Sequence, residues 1–159
     1  LIGGNEALAS VYKANETDDV TILKTALGAE REAIAAYQLG AESGLLSKGV
    51  LSVAVSFQGH HKEHADVLAQ TIEKLGGKVP SAPQAYNFPT SKLKRERDVI
   101  EFAAGLEQGA VSAYLGAVPL FENRDLSAAA ASILGDEAMH WAVLRQALGL
   151  NPVPSAFVS

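Results

Sequence analysis

The stretch GAEREAIAAY, residues 28–37, decides the fold, because a second stretch of the same design, GLEQGAVSAY, occupies residues 105–114. Each contains a glutamate followed seven positions later by a tyrosine. The pairs are Glu30 with Tyr37 and Glu107 with Tyr114, and each residue of the second pair follows its counterpart by 77 positions. The same residue types at one fixed separation predict a duplicated pair of helices.

A short histidine motif follows each of these stretches. The second half carries Glu137-x-x-His140 within GDEAMH, and the first half carries His61-x-x-His64 within GHHKEH. His140 follows His64 by 76 positions, in agreement with the repeat. Positions i, i+3 and i+7 share one face of a helix, so the members of each motif are expected to point the same way.

Four long segments have apolar residues at helical spacing, and no segment alternates with the period of a strand. The predicted helices span about residues 17–44, 47–75, 92–118 and 125–148. After a short amphipathic lead at 5–13, Thr17 is predicted to cap the first helix, with Asp18 and Asp19 in its first turn. The Pro-containing connection at 76–91 is long enough to cross a whole bundle, which predicts antiparallel pairs 1-2 and 3-4 joined by one crossover. The expected fold class is therefore an all-α, ferritin-like four-helix bundle.

Composition narrows the class of protein. With 159 residues, 48% of them hydrophobic, the chain is expected to form one domain over residues 1–159, with a core bundle at about 18–149. The net charge of −5 argues against nucleic acid as a partner. No apolar run approaches the roughly 18 residues of a membrane span, so a soluble protein without a membrane partner is expected. The start at Leu1 rather than Met slightly favours an exported, periplasmic location.

The repeated acids and histidines lie on the apolar face, or stripe, of each helix. If four such stripes meet in one core, these acids and histidines come close together. The predicted metal ligands are Glu30, His61, His64, Glu107, Glu137 and His140. Carboxylates buried this closely repel one another unless protons or cations compensate their charge. Two divalent cations, bridged by carboxylates and flanked by imidazoles, would satisfy both the charge and the lone pairs. The chain has no cysteine, so thiolate metal sites are excluded.

The pattern resembles the ferritin-like superfamily of di-iron and di-manganese carboxylate proteins, which includes bacterial ferritin-like domain proteins, over roughly residues 18–149. That superfamily places a lone Glu on each of two helices and a Glu-x-x-His on each of the other two. By position, Glu30 and Glu107 match the lone glutamates, and Glu137 with His140 matches one motif. The resemblance thus implies two metal ions, with iron expected and manganese or zinc as alternatives.

Two features of the resemblance concern other residues. Tyr37 and Tyr114 match a tyrosine that several family members place two helical turns beyond the lone Glu, and they are expected to donate hydrogen bonds to ligand carboxylates.

In the second helix His64 matches the family histidine, but His61 stands where the family has Glu. The donor set therefore changes from four carboxylates and two imidazoles to three of each, and a mononuclear or unequal site is an alternative.

The histidine-rich segment allows two other interpretations. A reversed motif would use His60 and Glu63 as ligands, although Glu63 lies off the apolar stripe. Alternatively, the three histidines within five residues form a solvated metal-binding face.

Three functions follow from the resemblance. The first is a metal-dependent redox protein, an oxidoreductase if it is an enzyme, that reacts with dioxygen or peroxide; no catalytic residue is assigned. The second is a metal-binding module without turnover. The third is a structural or stress-related bundle with a degenerate, inactive site. A homodimer formed through helix faces is compatible with all three.

Overall fold

Four α-helices make up most of the chain. The computed structural model describes residues 3–158, with side chains from residue 18 onward. The helices are α1 (Gly3–Glu42), α2 (Lys48–Lys74), α3 (Glu96–Ala117) and α4 (Arg124–Ala147), and short 3-10 turns lie at Thr90–Lys92 and Val118–Leu120. Residues 3–158 contain no β-strand, so the predicted all-α four-helix bundle is confirmed. In this part of the chain, none of the helices combines the length and apolarity needed to cross a membrane.

The first helix begins earlier than the sequence predicts. The expected N-cap at Thr17 and the separate lead at 5–13 are wrong, because one helix continues from Gly3 through Thr17. Residues 5–16 contain neither glycine nor proline, so nothing interrupts the hydrogen-bonded turns. The other helix bounds agree with prediction within a few residues. Gly44 and Gly76, with φ of 69° and 76°, take the left-handed conformation that ends α1 and α2.

Asp19 joins α1 to the connection between α3 and α4. Asp18 and Asp19 do not lie in the first turn of a helix, as the sequence predicts, since α1 starts well before them. The buried carboxylate of Asp19 instead accepts hydrogen bonds from the backbone N–H groups of Glu122 and Asn123, at 3.0 and 3.1 Å. Asn123 in turn caps α4 by accepting a 2.9 Å bond from the backbone N–H of Asp125. This end of the bundle is therefore fixed by one acidic side chain.

The connection between α2 and α3 runs from one end of the bundle to the other. Where α2 ends, Gly77 packs so closely on α1 that a Cβ there would lie 2.7 Å from Val20 Cγ1. Where α3 begins, Glu96 accepts a 2.5 Å hydrogen bond from the backbone N–H of Ser47, immediately before α2. Helices α2 and α3 thus start at the same end and run parallel. The predicted crossover is confirmed.

A polar layer lies between two apolar clusters of the core. The first cluster contains Val20, Leu23, Leu27, Ala65, Leu68, Ile72, Tyr114, Phe121, Ala130 and Ile133. The second contains Tyr37, Ala54, Phe57, Ile100, Ala104, Leu144 and Leu148. Each helix passes from one cluster to the other and presents a buried Glu or His between them. Burying one large aliphatic side chain contributes about 1.5–3 kcal/mol, so the flanking clusters offset the cost of burying charges in the middle.

Candidate metal centre

All six predicted ligands converge in the polar layer. They are Glu30 from α1, His61 and His64 from α2, Glu107 from α3, and Glu137 and His140 from α4. Five of them are at most 2% exposed, and the side chain of His64 is 15% exposed. Along each helix these groups lie between residues of the two apolar clusters.

The donor atoms of these residues form two overlapping groups. The first is Glu30, His61, His64 and Glu137, and the second is His61, Glu107, Glu137 and His140. Within each group, one donor atom per residue lies within 4.8 Å of the others. Glu137 belongs to both groups, and a carboxylate shared in this way is the kind of ligand that bridges two cations. Oxygen and imidazole donors suit iron, manganese and zinc.

Several inward-facing donor atoms make no hydrogen bond. Among the described side chains, the buried polar atoms without a hydrogen-bond partner include His64 Nδ1, His140 Nδ1, Glu107 Oε2 and both carboxylate oxygens of Glu137. An unsatisfied buried polar group costs about 1–3 kcal/mol, and a charged group costs more. Cations bound between these atoms would supply the missing partners. The residues present therefore fit a metal site.

Two tyrosines bind the lone glutamates across the bundle. Tyr37 on α1 donates a hydrogen bond to Glu107 Oε1 on α3, and Tyr114 on α3 donates a 2.5 Å bond to Glu30 Oε1 on α1. Burial, and next the charge of the accepting carboxylate, raise the pKa of each phenol well above its ordinary value. Each phenol therefore stays protonated and keeps donating. In Glu30 the second oxygen, Oε2, faces His61, whereas in Glu107 the same oxygen, Oε1, faces both Tyr37 and the histidines.

His61, which stands where the ferritin-like pattern has glutamate, lies between two carboxylates. Its Nδ1 is 2.8 Å from Glu30 Oε2, and its Nε2 is 3.3 Å from Glu107 Oε1. Burial alone would lower the pKa of His61, but the hydrogen bonds to Glu107 and Glu30 outweigh it and raise the pKa to about 10. The imidazolium formed in this way places a positive charge between the two lone glutamates.

The same contacts keep the glutamates ionised. Burial acts to raise the pKa of Glu107, yet the imidazoles of His140 and His61 beside its carboxylate bring that pKa below its ordinary value. Burial likewise opposes ionisation of Glu30, and His61 and His64 lower its pKa. For His64 and His140, burial lowers the pKa, but the neighbouring carboxylates raise it to about 9. Ionised carboxylates bind cations directly, whereas these histidines must release a proton to do so.

The sequence analysis does not identify Asp136, which contacts three histidines from the outer side of the cluster. Its Oδ2 lies 3.1 Å from His60 Nδ1, 3.4 Å from His64 Nε2 and 3.2 Å from His140 Nε2. A carboxylate behind a ligating histidine selects the tautomer and holds the ring in place. The spacing of four residues from Asp136 to His140 was an available signal, since side chains at i and i+4 are neighbours on a helix.

The alternative ligands of α2, His60 and Glu63, belong to neither of the two buried donor groups. Glu63 is exposed and belongs to none of the donor groups formed by the described residues, so the reversed motif is not assembled. The side chain of His60 is 43% exposed and faces Asp136 and His140. His61 is 1% exposed, so the three histidines do not form one solvated face.

A cavity of about 440 Å³ between α1 and α3 reaches the cluster. Glu30, His61 and Tyr114 are part of its lining. Its other walls include the small residues Ala26, Ala29, Ala33, Ala110, Ala113 and Gly116. Because Ala29 and Ala113 are exposed, the cavity extends from the surface to the buried acids.

These features define a class of protein: a four-helix bundle with one long crossover and a buried layer of carboxylates and imidazoles. The ferritin-like domain family matches residues 18–150, which include all four helices of the bundle core and every residue of the cluster. The chain belongs to the ferritin-like domain family.

The solved structures that share its fold include the following two. A conserved hypothetical protein from Mycobacterium tuberculosis is 23% identical, with a TM-score of 0.78 over 90% of this chain and 99% of that one. A ferritin-like, diiron-carboxylate protein from Bacillus anthracis str. Ames is 21% identical, with a TM-score of 0.73 over 84% of this chain and 97% of that one. At these identities the likeness shows the fold alone. A comparison with curated proteins gives no match.

Proposed function

We propose that the polar layer binds two divalent metal ions, iron foremost, and that the loaded protein reduces dioxygen or peroxide. The observation that carries the proposal is the set of buried donor atoms without hydrogen bonds, which lie on three helices and face one volume. Ferrous ions bound there would supply the electrons for the reduction. Manganese suits the same donors, and zinc would bind without redox chemistry.

The proposed ligands can be assigned to two ions. Glu30 with His64 would hold one ion, and Glu107 with His140 would hold the other, in keeping with the two donor groups. Glu137, which belongs to both groups and is fully buried, would connect them. The tyrosine hydroxyls fix one oxygen of each lone glutamate and thereby orient the other, as partners behind metal ligands generally do.

The surroundings leave a small oxidant one described approach, from the side of the bundle. Apolar clusters above and below the polar layer separate it from solvent at both ends of the bundle. The cavity between α1 and α3 provides a side approach with walls of alanine and glycine, which suits a small apolar molecule such as dioxygen. The diiron-carboxylate protein from Bacillus anthracis, which has the same fold, also supports this proposal.

The test is anaerobic loading with Fe(II), metal analysis, and then oxygen or peroxide consumption. We expect about two metal atoms per chain, and consumption that is lost in Glu107→Ala. Glu101→Ala is the matched control, because Glu101 lies exposed on the same helix and pairs only with Arg97 in the salt bridges of the described residues. Stoichiometric metal without oxidant consumption would reject the redox step and leave a metal-binding module.

A second candidate function is supported by His61. Its hydrogen bonds to both Glu30 and Glu107 supply positive charge where the family pattern has an anionic ligand, which favours a structural bundle with a degenerate, inactive site. One metal atom per chain would instead indicate a mononuclear site. In a structural bundle, no stoichiometric metal is recovered, and chelator leaves the melting temperature unchanged.

A further inference from the structure

A third group of donor atoms lies on the outer side of the cluster. It consists of His60 Nδ1, Asp136 Oδ2 and His140 Nε2. The three pairwise distances are 3.1 Å from His60 to Asp136, 2.9 Å from His60 to His140, and 3.2 Å from His140 to Asp136. We propose that these residues form a separate, solvent-facing site for a divalent transition-metal ion, which loads the buried centre.

The spacing of the donors matches coordination of one ion. Imidazole nitrogens and carboxylate oxygens bind such ions at about 2.1 Å, and two donors at a right angle around the ion are then about 3.0 Å apart. All three distances in this group are close to that value. Hydrogen bonding alone satisfies the group less well, because a single N–H on His60 Nδ1 cannot point at Asp136 and His140 equally.

The chemistry of the donors selects the kind of ion. Two imidazoles and one carboxylate on one face, with the opposite side open, suit ferrous iron, cobalt or zinc rather than calcium or magnesium, which prefer oxygen ligands. The open side is shown by exposure: the side chain of His60 is 43% exposed and that of Asp136 is 22% exposed. An ion from solvent therefore reaches this group without passing through the apolar core.

His140 links this outer group to the buried centre. Its Nε2 faces His60 and Asp136, whereas its Nδ1 faces inward, 3.5 Å from Glu107 Oε1. Phe57 stacks on the ring with centroids 3.9 Å apart, which holds both nitrogens in these directions. A neutral imidazole has only one lone pair for a metal, so His140 serves one ion at a time. The outer site thus binds best while the inner position at His140 is free, as a loading site requires.

The outer site goes beyond the proposed function, because the outer group uses none of the three buried glutamates. Its loading role rests on the proposed function. Of the proposed inner ligands, Glu30 belongs to one buried donor group and Glu107 to the other. The size-conserving double variant Glu30→Gln/Glu107→Gln removes the charged ligand proposed for each inner ion and leaves the outer group in place.

The first experiment titrates this double variant with Co(II) under anaerobic conditions and follows the visible absorption of the bound ion. We expect one Co(II) per chain, and an affinity reduced at least about tenfold when His60→Ala is added. Glu63→Ala is the matched control, since Glu63 is exposed on the same helix and outside the group. No Co(II) in the double variant, or equal binding with and without His60, overturns the inference.

A second measurement uses the unmodified chain, in case the double variant does not fold. In a stopped-flow experiment, His60→Ala should take up Co(II) into the buried centre several-fold more slowly than the unmodified chain, with the same final inner stoichiometry. Equal rates overturn the loading role. If the unmodified chain binds no inner metal while His60-dependent Co(II) binding persists, the proposed function fails and the outer site stands.

Discussion

Tyr114 on α3 donates a 2.5 Å hydrogen bond to Glu30 on α1, so the tyrosine of the second half serves the glutamate of the first. In the same way, Tyr37 in the first half donates a hydrogen bond to Glu107 in the second half. Each tyrosine lies seven residues beyond the glutamate of its own helix but contacts the glutamate of the other. The duplication therefore encodes a contact between the repeats.

Replacing Tyr114 by Phe should weaken metal binding without abolishing it. The change removes the hydrogen bond that orients Glu30, and loss of such a partner typically costs about 10–100-fold in metal affinity. Competitive titration with Mn(II) or Co(II) measures the effect. Tyr86→Phe is the control, because the hydroxyl of Tyr86, in the crossover, has no hydrogen-bond partner among the described residues. Equal affinities in the two variants would contradict the orienting role.

Replacing His61 by Glu should make the stability of the protein depend more strongly on metal. The new carboxylate removes the positive charge between Glu30 and Glu107, and breaking a buried ion pair costs about 3–5 kcal/mol. Free metal at 100 times its dissociation constant stabilises the folded protein by about 2.7 kcal/mol. We therefore expect a larger difference in melting temperature between metal-loaded and chelator-treated protein than in the unmodified chain. Glu63→Gln, on the exposed side of α2, should leave that difference unchanged.

Replacing Ala33 by Leu should slow oxidant consumption while leaving metal stoichiometry intact. Ala33 lines the cavity of about 440 Å³ and also a neighbouring cavity of about 220 Å³ that reaches Glu107, and the larger side chain would fill this approach. An oxygen electrode on protein loaded with Fe(II) should show a several-fold lower rate. Ala131→Leu, at an exposed position of α4, controls for the added bulk. An unchanged rate in Ala33→Leu would mean that the oxidant arrives by another route.

Replacing Asp19 by Ala should destabilise the bundle. The backbone N–H groups of Glu122 and Asn123 lose their acceptor, and a hydrogen bond to a charged group contributes about 1.5–3 kcal/mol. Urea denaturation measures the loss in free energy of unfolding. Asp18→Ala is the matched control, since Asp18 is exposed and a surface change of this kind stays within about 0.5 kcal/mol. Similar midpoints for both variants would show that the contact contributes little.

Much of the fold and of the site follows from periodicity. The apolar stripes, the glycines after the helices and the long Pro-containing connection predict four helices and one crossover. Glu30 and Glu107 stand out because each lies on a stripe at the same place in a repeat. These features are local, and a helix of 3.6 residues per turn converts them directly into directions in space.

The residues that the sequence analysis misses depend on how helices pack. Asp136 precedes Glu137 and so lies about 100° around α4 from it, off the stripe. Its contacts with His60 and His64 exist only because α2 lies beside α4. The bond from Asp19 to the connection before α4 spans more than a hundred positions. Such contacts have no signature in a single sequence.

The crossover has a consequence for the integrity of the chain. Glu30, His61 and His64 precede it, and Glu107, Glu137 and His140 follow it, so each hairpin holds half of the proposed metal ligands. The segment between is largely exposed and open to a protease. In nicked protein, bound metal would add to the apolar clusters and hydrogen bonds that already join the two hairpins, so chelation should weaken the association of the fragments.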